Sequence, residues 1–163
     1  MTSPNVILLS VGVVIGLLVG GIVLLRSRFL FVTVRGYSMA PTLQPQDHVL
    51  VLRVQSAQKI AKGAIVLLDQ SAAPSLALAR GPFIKRVVAV AGETYTDSSP
   101  QFPMKSLDEP HAPNETRRWE IPDGMVFVCG DHLAASYDSR AWGPIPLSLI
   151  RGIVIYQFEK PTP

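Results

Sequence analysis

The chain has 163 residues, of which 48% are hydrophobic, and a formal net charge of +3; this length suits one ordinary domain rather than two. Its basic residues are scattered rather than clustered, which disfavours nucleic acid and favours a basic face toward anionic lipid headgroups. One cysteine excludes an internal disulfide, and no Cys/His spacing resembles a zinc site, so we expect neither metal nor cofactor.

An uncharged apolar run occupies residues 6–25 and is bounded by Arg26 and Arg28. It is about as long as the ~20 residues that an α-helix needs to cross a bilayer. It is also longer than the apolar core of a cleaved secretory signal and is followed by no small-residue cleavage site. We therefore predict a retained membrane anchor over residues 1–28. Arg35 adds to the charge after the helix, and the positive-inside bias would place the following domain in the cytoplasm.

Residues 29–163 are predicted to form one β-rich domain, because short apolar, β-branched runs recur between Gly, Pro and Asp. The predicted strands are 29–34, 48–54, 64–68, 83–90, 124–129 and 152–158. Polar insertions interrupt this pattern at 71–81 and 93–120. The second is rich in proline, which is tolerated in loops and edge strands, and we predict an extended loop or a small edge ribbon there. The expected fold class is mainly β and antiparallel, preceded by one transmembrane helix.

Ser38 is the first candidate for chemistry. It lies between Gly36 and Pro41 at the end of a predicted strand, where a flexible residue and a stiffened turn would expose its hydroxyl. Taken alone, this stretch is better explained as an ordinary turn serine.

Lys85 is the second candidate, because it lies inside the apolar strand 83–90 and lysine is seldom buried. Its ordinary pKa of about 10.4 leaves the amine protonated near neutrality. Burial would lower this pKa and give a neutral amine able to accept a proton from a serine hydroxyl. The alternation of side chains along a strand predicts that Arg86 points to the opposite face.

The segment 130–145 is dense in polar residues. We predict a tight surface loop stabilised by an Asp138–Arg140 ion pair, with Ser136 as the candidate to orient the lysine amine.

The sequence offers two other nucleophile arrangements. A Ser38, His132 and Asp131 or Asp138 triad is conceivable, but nothing local marks a histidine oriented by a carboxylate. A Cys129–His132 pair is disfavoured, because a thiol inside an apolar run has a raised pKa and poor access.

Three segments occur in the order of the type I signal peptidases and resemble them: 38–43 (SMAPTL), 85–88 (KRVV) and 130–144 (GDHLAASYDSRAWGP). These are Ser/Lys peptidases that remove signal peptides from exported proteins, and the mitochondrial inner-membrane peptidases are related to them. The resemblance implies an antiparallel β domain that holds its site near the membrane.

The resemblance also implies roles for individual residues. Ser38 would attack the scissile carbonyl and supply its backbone amide to the oxyanion hole, and Lys85 would act as general base. Ser136 would position Lys85, while Asp138 and Arg140 would support the loop.

Substrates of the family are precursor proteins with small side chains before the cut, so Met39 and Ala40 are assigned to substrate binding. Gly36 stands where some members have a serine hydroxyl as a further oxyanion donor. His132 stands where asparagine is usual, which is similar to the mitochondrial enzymes.

The apolar anchor and the scattered basic residues imply membrane lipid as a partner and no nucleic acid. The resemblance places the catalytic domain outside the cytoplasm at a bacterial plasma membrane, or alternatively at the mitochondrial inner membrane. Two further hypotheses are a maturation peptidase dedicated to one precursor and a non-catalytic membrane-tethered β module. A self-cleaving repressor is disfavoured, because a membrane helix takes the place of a DNA-binding domain.

Overall fold

The computed structural model describes residues 4–54, 60–69, 82–97 and 116–158. Helix α1 (Pro4–Arg28) is followed by strands, by a short helix α2 (Ser139–Trp142) and by 3-10 turns at Leu133–Ala135 and Leu147–Leu149. The strands are β1 (Phe29–Thr33), β2 (His48–Arg53), β3 (Ile65–Leu68), β4 (Phe83–Val90), β5 (Thr94–Asp97), β6 (Arg117–Glu120), β7 (Met125–Cys129), β8 (Ile145–Pro146) and β9 (Ile150–Phe158).

Seven strands form one sheet in the order β1-β2-β9-β3-β4-β7-β8, and every neighbouring pair is antiparallel. The predicted fold class is therefore confirmed, and the six predicted strands correspond to β1, β2, β3, β4, β7 and β9. The last strand, β9, lies between β2 and β3 rather than at an edge.

Alternation along the strands defines the core. In β4 the buried positions are Lys85, Val87 and Ala89, and the positions between them are half-buried. Under the β1–β2 connection, a separate cluster of apolar side chains includes Met39 and Leu43, each almost fully buried. These contacts fix the connection, which carries Ser38, to the sheet beneath it.

Helix α1 is exposed over its described side chains, and its 18-residue window Val11–Arg28 is long and apolar enough to cross a membrane. The chain passes from Arg28 directly into β1. The sheet therefore begins where the apolar helix ends.

The first predicted insertion, 71–81, lies outside the described residues. Of the second, β5 and β6 pair as a two-stranded ribbon, and residues 98–115 between them lie outside the described residues. Tyr95 and Trp119 of the ribbon pack on Phe127 of β7, with ring centroids 4.5 and 5.0 Å apart. Aromatic packing thus attaches the ribbon to the main sheet.

Candidate active site

The connection between β1 and β2 is a closed turn. Two backbone hydrogen bonds join its two ends: the Val34 amide donates to the Asp47 carbonyl (2.8 Å), and the Gln46 amide donates to the Val34 carbonyl (2.9 Å). The buried carboxylate of Asp47 accepts from the Gln44 amide (2.8 Å) and the Gln157 side chain (3.0 Å). These bonds give the turn a defined shape.

Ser38 lies half-buried in this turn. Its carbonyl accepts a hydrogen bond from the His132 amide at 3.0 Å, which joins the turn to the segment after β7. Among the described residues, neither the Ser38 amide nor its hydroxyl has a hydrogen-bond partner. Met39 is only 2% exposed and Ala40 is half-buried, so the Met39 side chain belongs to the core beneath the turn.

Lys85 is 3% exposed, and its Nζ donates to Ser136 Oγ at 2.9 Å. Burial lowers the pKa of this amine to about 8, although the nearby Asp138 carboxylate opposes the shift. At pH 7 about a tenth of the amine is therefore neutral, which is far more than for an exposed lysine, as the sequence led us to expect.

A buried chain of hydrogen bonds continues from Ser136. Its hydroxyl donates to Asp138 Oδ2 (2.7 Å), which also accepts from the Gly130 amide (2.9 Å). Arg140 donates through Nε to Asp138 Oδ1 and through Nη2 to Oδ2, each at 2.9 Å. Asp138 and Arg140 are 0% and 2% exposed.

The Asp138–Arg140 pair thus forms as predicted, in a loop whose residues 132–135 are exposed, but the pair itself is buried. The two side chains are turned inward, where the carboxylate accepts from Ser136 and the guanidinium also binds the Leu133 carbonyl (2.9 Å). A buried pair of this kind is costly to break, because either partner alone would be an uncompensated charge.

Gly130 is the point at which these groups converge. A Cβ atom built on this residue would lie 2.6 Å from Ser136 Cβ and would contact both Ser136 Oγ and the Ser38 carbonyl. The nucleophile candidate's backbone and the lysine's hydrogen-bond partner therefore both touch the Gly130 α-carbon. The described hydrogen bonds do not include one between Ser38 Oγ and Lys85 Nζ.

Arg86 forms a second connection that sequence reasoning did not assign. It donates through Nε and Nη2 to the two carboxylate oxygens of Asp131, at 2.8 and 2.7 Å, and through Nη1 to the Gly63 carbonyl at 3.0 Å. Burial alone would raise the pKa of Asp131, but the bond from Arg86 contributes to holding it below its ordinary value. The strand alternation that separates Lys85 from Arg86 was the available signal.

The alternative arrangements lack supporting contacts. Among the described hydrogen bonds, Asp131 is bound to Arg86 and Asp138 to Ser136 and Arg140, and none joins either carboxylate to the exposed His132 side chain. Burial raises the pKa of the Cys129 thiol to about 12, which disfavours a thiolate nucleophile.

Comparison with known proteins shows the family to which the chain belongs. The family model described as signal peptidase, peptidase S26, matches residues 6–98 and 94–158. The mitochondrial ATP-independent inner membrane protease subunit 1b of Arabidopsis thaliana is 35% identical over 75% of this chain and 65% of its own length. The mitochondrial inner membrane protease subunit 1 of Mus musculus is 32% identical (75% and 64%). The probable signal peptidase I-1 of Synechocystis sp. is 33% identical (74% and 66%). The chain spans less than two-thirds of the length of each relative. With most of its residues matched by the family model, the chain belongs to the signal peptidase family, peptidase S26.

Proposed function

We propose that the chain is a membrane-bound serine endopeptidase that removes signal peptides from exported precursor proteins with a Ser38–Lys85 dyad. The observation that carries this proposal is the buried Lys85 amine, with a pKa of about 8, held by Ser136 beside the Ser38 turn. A buried amine that is partly neutral at physiological pH is what a serine nucleophile needs as a base.

The proposed first step is acylation. Ser38 Oγ forms a bond to the scissile carbonyl carbon while its proton passes to Lys85 Nζ. The unpaired Ser38 amide then donates to the developing oxyanion. Lys85 returns the proton to the departing amine as the C–N bond breaks. A water molecule hydrolyses the ester by the same route in reverse, with Lys85 accepting the water proton and returning it to Ser38 Oγ.

The supporting residues act on the lysine. Ser136 Oγ accepts from Lys85 Nζ and donates to Asp138, so the hydroxyl is fixed in a single orientation. Arg140 holds Asp138 on both carboxylate oxygens. In this proposal the network keeps the amine lone pair directed toward Ser38.

The edge of β4 offers a place for an extended substrate. The strand pairs with β3 along Phe83–Arg86, but its pairing with β7 begins only at Arg86. Within the described residues, the edge of β4 that faces away from β3 therefore has no strand partner over residues 83–85. A substrate strand added there would run toward the proposed dyad.

The proposed location is a membrane, with α1 as a single-pass anchor and the catalytic domain outside the cytoplasm of a bacterium. The alternative is the mitochondrial inner membrane, and with it a maturation peptidase dedicated to one precursor. That alternative is supported by the relatives named as mitochondrial inner membrane proteases. A non-catalytic membrane-tethered β module is the remaining hypothesis.

Cleavage of matched precursors tests this function. The full chain in liposomes is given two precursors that differ only in having alanine or phenylalanine directly before the cut, and the new N-terminus is identified by mass spectrometry. We expect cleavage after alanine alone, with a preference on the order of 10²-fold or more, and none by Ser38→Ala. If a panel of different precursors is tested and only one of them is cleaved, the result supports a maturation peptidase dedicated to that precursor. Equal cleavage by Ser38→Ala, or no cleavage of any precursor, contradicts the proposal.

The pH dependence tests the role of Lys85. The amine works as a base only when neutral, and its neutral fraction falls about tenfold per pH unit below its pKa. We expect kcat/KM to rise with pH up to about 8 and to level off above it. Initial rates from about pH 6 to about pH 10 measure this. A profile that is flat across this range contradicts the proposed base.

A further inference from the structure

A group of arginines lies where the helix meets the sheet. Helix α1 ends at Arg28, and Arg26 lies in the same last turn. Because the preceding apolar run is about one bilayer core in length, a spanning helix places both side chains at the level of the lipid headgroups.

The sheet register brings a third arginine to the same place. Phe29 pairs with Leu52 at the start of the β1–β2 ladder. Arg28, the last residue of α1, directly precedes Phe29, and Arg53, the last residue of β2, directly follows Leu52. Both are exposed. Like charges that lie near one another repel, and an anion between them would offset that repulsion.

The other arginine at this end of the sheet is neutralised within the chain. Arg53 pairs with Gly152, and the adjacent Arg151 donates to Asp69 Oδ2 at 2.6 Å. Within the described residues, by contrast, Arg26, Arg28 and Arg53 have no acidic partner. Within the part of the chain that the structure describes, these three arginines therefore lie near the lipid headgroups with no acidic side chain to neutralise them.

We propose that Arg26, Arg28 and Arg53 bind the phosphate of an anionic phospholipid headgroup. The guanidinium group presents paired N–H donors that match phosphate oxygens, and an anionic membrane surface attracts basic side chains beside a membrane helix. Phe31, on β1 and three residues after Arg28, is 63% exposed and packs on Phe158 with centroids 5.0 Å apart. Exposed aromatic rings are typical of the membrane interface. The proposal requires that α1 spans the membrane but does not require peptidase activity.

Native mass spectrometry of the full chain tests this site by counting bound phosphatidylglycerol and phosphatidylcholine. We expect Arg28→Gln/Arg53→Gln to weaken phosphatidylglycerol binding on the order of tenfold. Phosphatidylcholine binding should stay unchanged. The matched control, Arg35→Gln/Arg118→Gln, removes the same charge from exposed arginines outside the group and should bind like wild type.

Arg28→Lys/Arg53→Lys keeps the charge without the planar donors and should bind with intermediate affinity. Equal phosphatidylglycerol binding by wild type and the glutamine variant would overturn the proposal. So would full displacement of the lipid by excess inorganic phosphate, which would assign the site to free phosphate. Since the readout is lipid binding, failure here leaves the cleavage experiment unaffected.

Discussion

Lys85→Met should abolish cleavage without destabilising the protein. Methionine fills nearly the same buried volume but has no basic nitrogen, so Ser38 loses the group proposed to take its proton. We expect kcat/KM to fall on the order of 10³-fold. Because the change replaces a desolvated amine with an apolar side chain, the melting temperature should be equal or higher. Precursor cleavage and thermal unfolding of the same preparation measure both quantities.

Two further variants show whether the loss of activity comes from the missing base at position 85. One keeps the positive charge there, and the other removes a different lysine. Lys85→Arg keeps a positive group whose pKa is too high for a base, and it should be inactive as well. Lys62→Met removes an exposed amine that is paired with Glu93; its activity should stay within about threefold of wild type, since exposed ion pairs contribute little. Retention of a tenth or more of wild-type activity by Lys85→Met would refute the assigned base.

Gly130→Ala should be inactive although it adds a single methyl group. The added Cβ would contact Ser136 Oγ and the Ser38 carbonyl, so the lysine's partner or the nucleophile turn must shift. A displacement of about 1 Å in a catalytic group costs on the order of 10²-fold in rate, and we expect a loss of kcat/KM of at least that size. Steady-state cleavage kinetics measure it.

Gly152→Ala is the matched control for this substitution. A Cβ atom there would lie 2.5 Å from Val51 Cγ1 and 2.6 Å from the Leu52 carbonyl, so it overfills the sheet against β2 rather than against Ser38 or Ser136. Each variant should lose about 1–3 kcal/mol of stability, but only Gly130→Ala should lose activity in the remaining folded protein. Comparable kcat/KM values for the two folded variants would exclude a special role for Gly130.

The strands of the main sheet were predictable because their apolar runs are long and bounded by turn residues. β4 was identifiable from its sequence even though it contains Lys85 and Arg86. The ribbon of β5 and β6 was predicted only as an alternative to an extended loop, because Arg117–Glu120 is short and mostly charged and is held in place by aromatic contacts to β7. β8, at two residues, is too short to give a periodic signal.

For the candidate site, the three motifs and their order along the chain indicated which residues take part. They did not indicate how deeply those residues are buried or which of them are in contact. The Asp138–Arg140 pair was predicted from charge, yet a loop has no periodicity from which its burial can be read. The close approach at Gly130 joins the Ser38 turn to the loop after β7. Such an approach depends on the packing of distant segments, so no local pattern could reveal it.

The central position of β9 has a consequence for biosynthesis. Among the described strands, β2 and β3 are joined in the sheet only through β9, the last strand of the described chain. The sheet that connects the strands beside Ser38 to the strand that holds Lys85 is therefore complete only when this strand has been translated and inserted. With this topology we expect the proposed dyad to be assembled late in synthesis, after most of the described chain has been made.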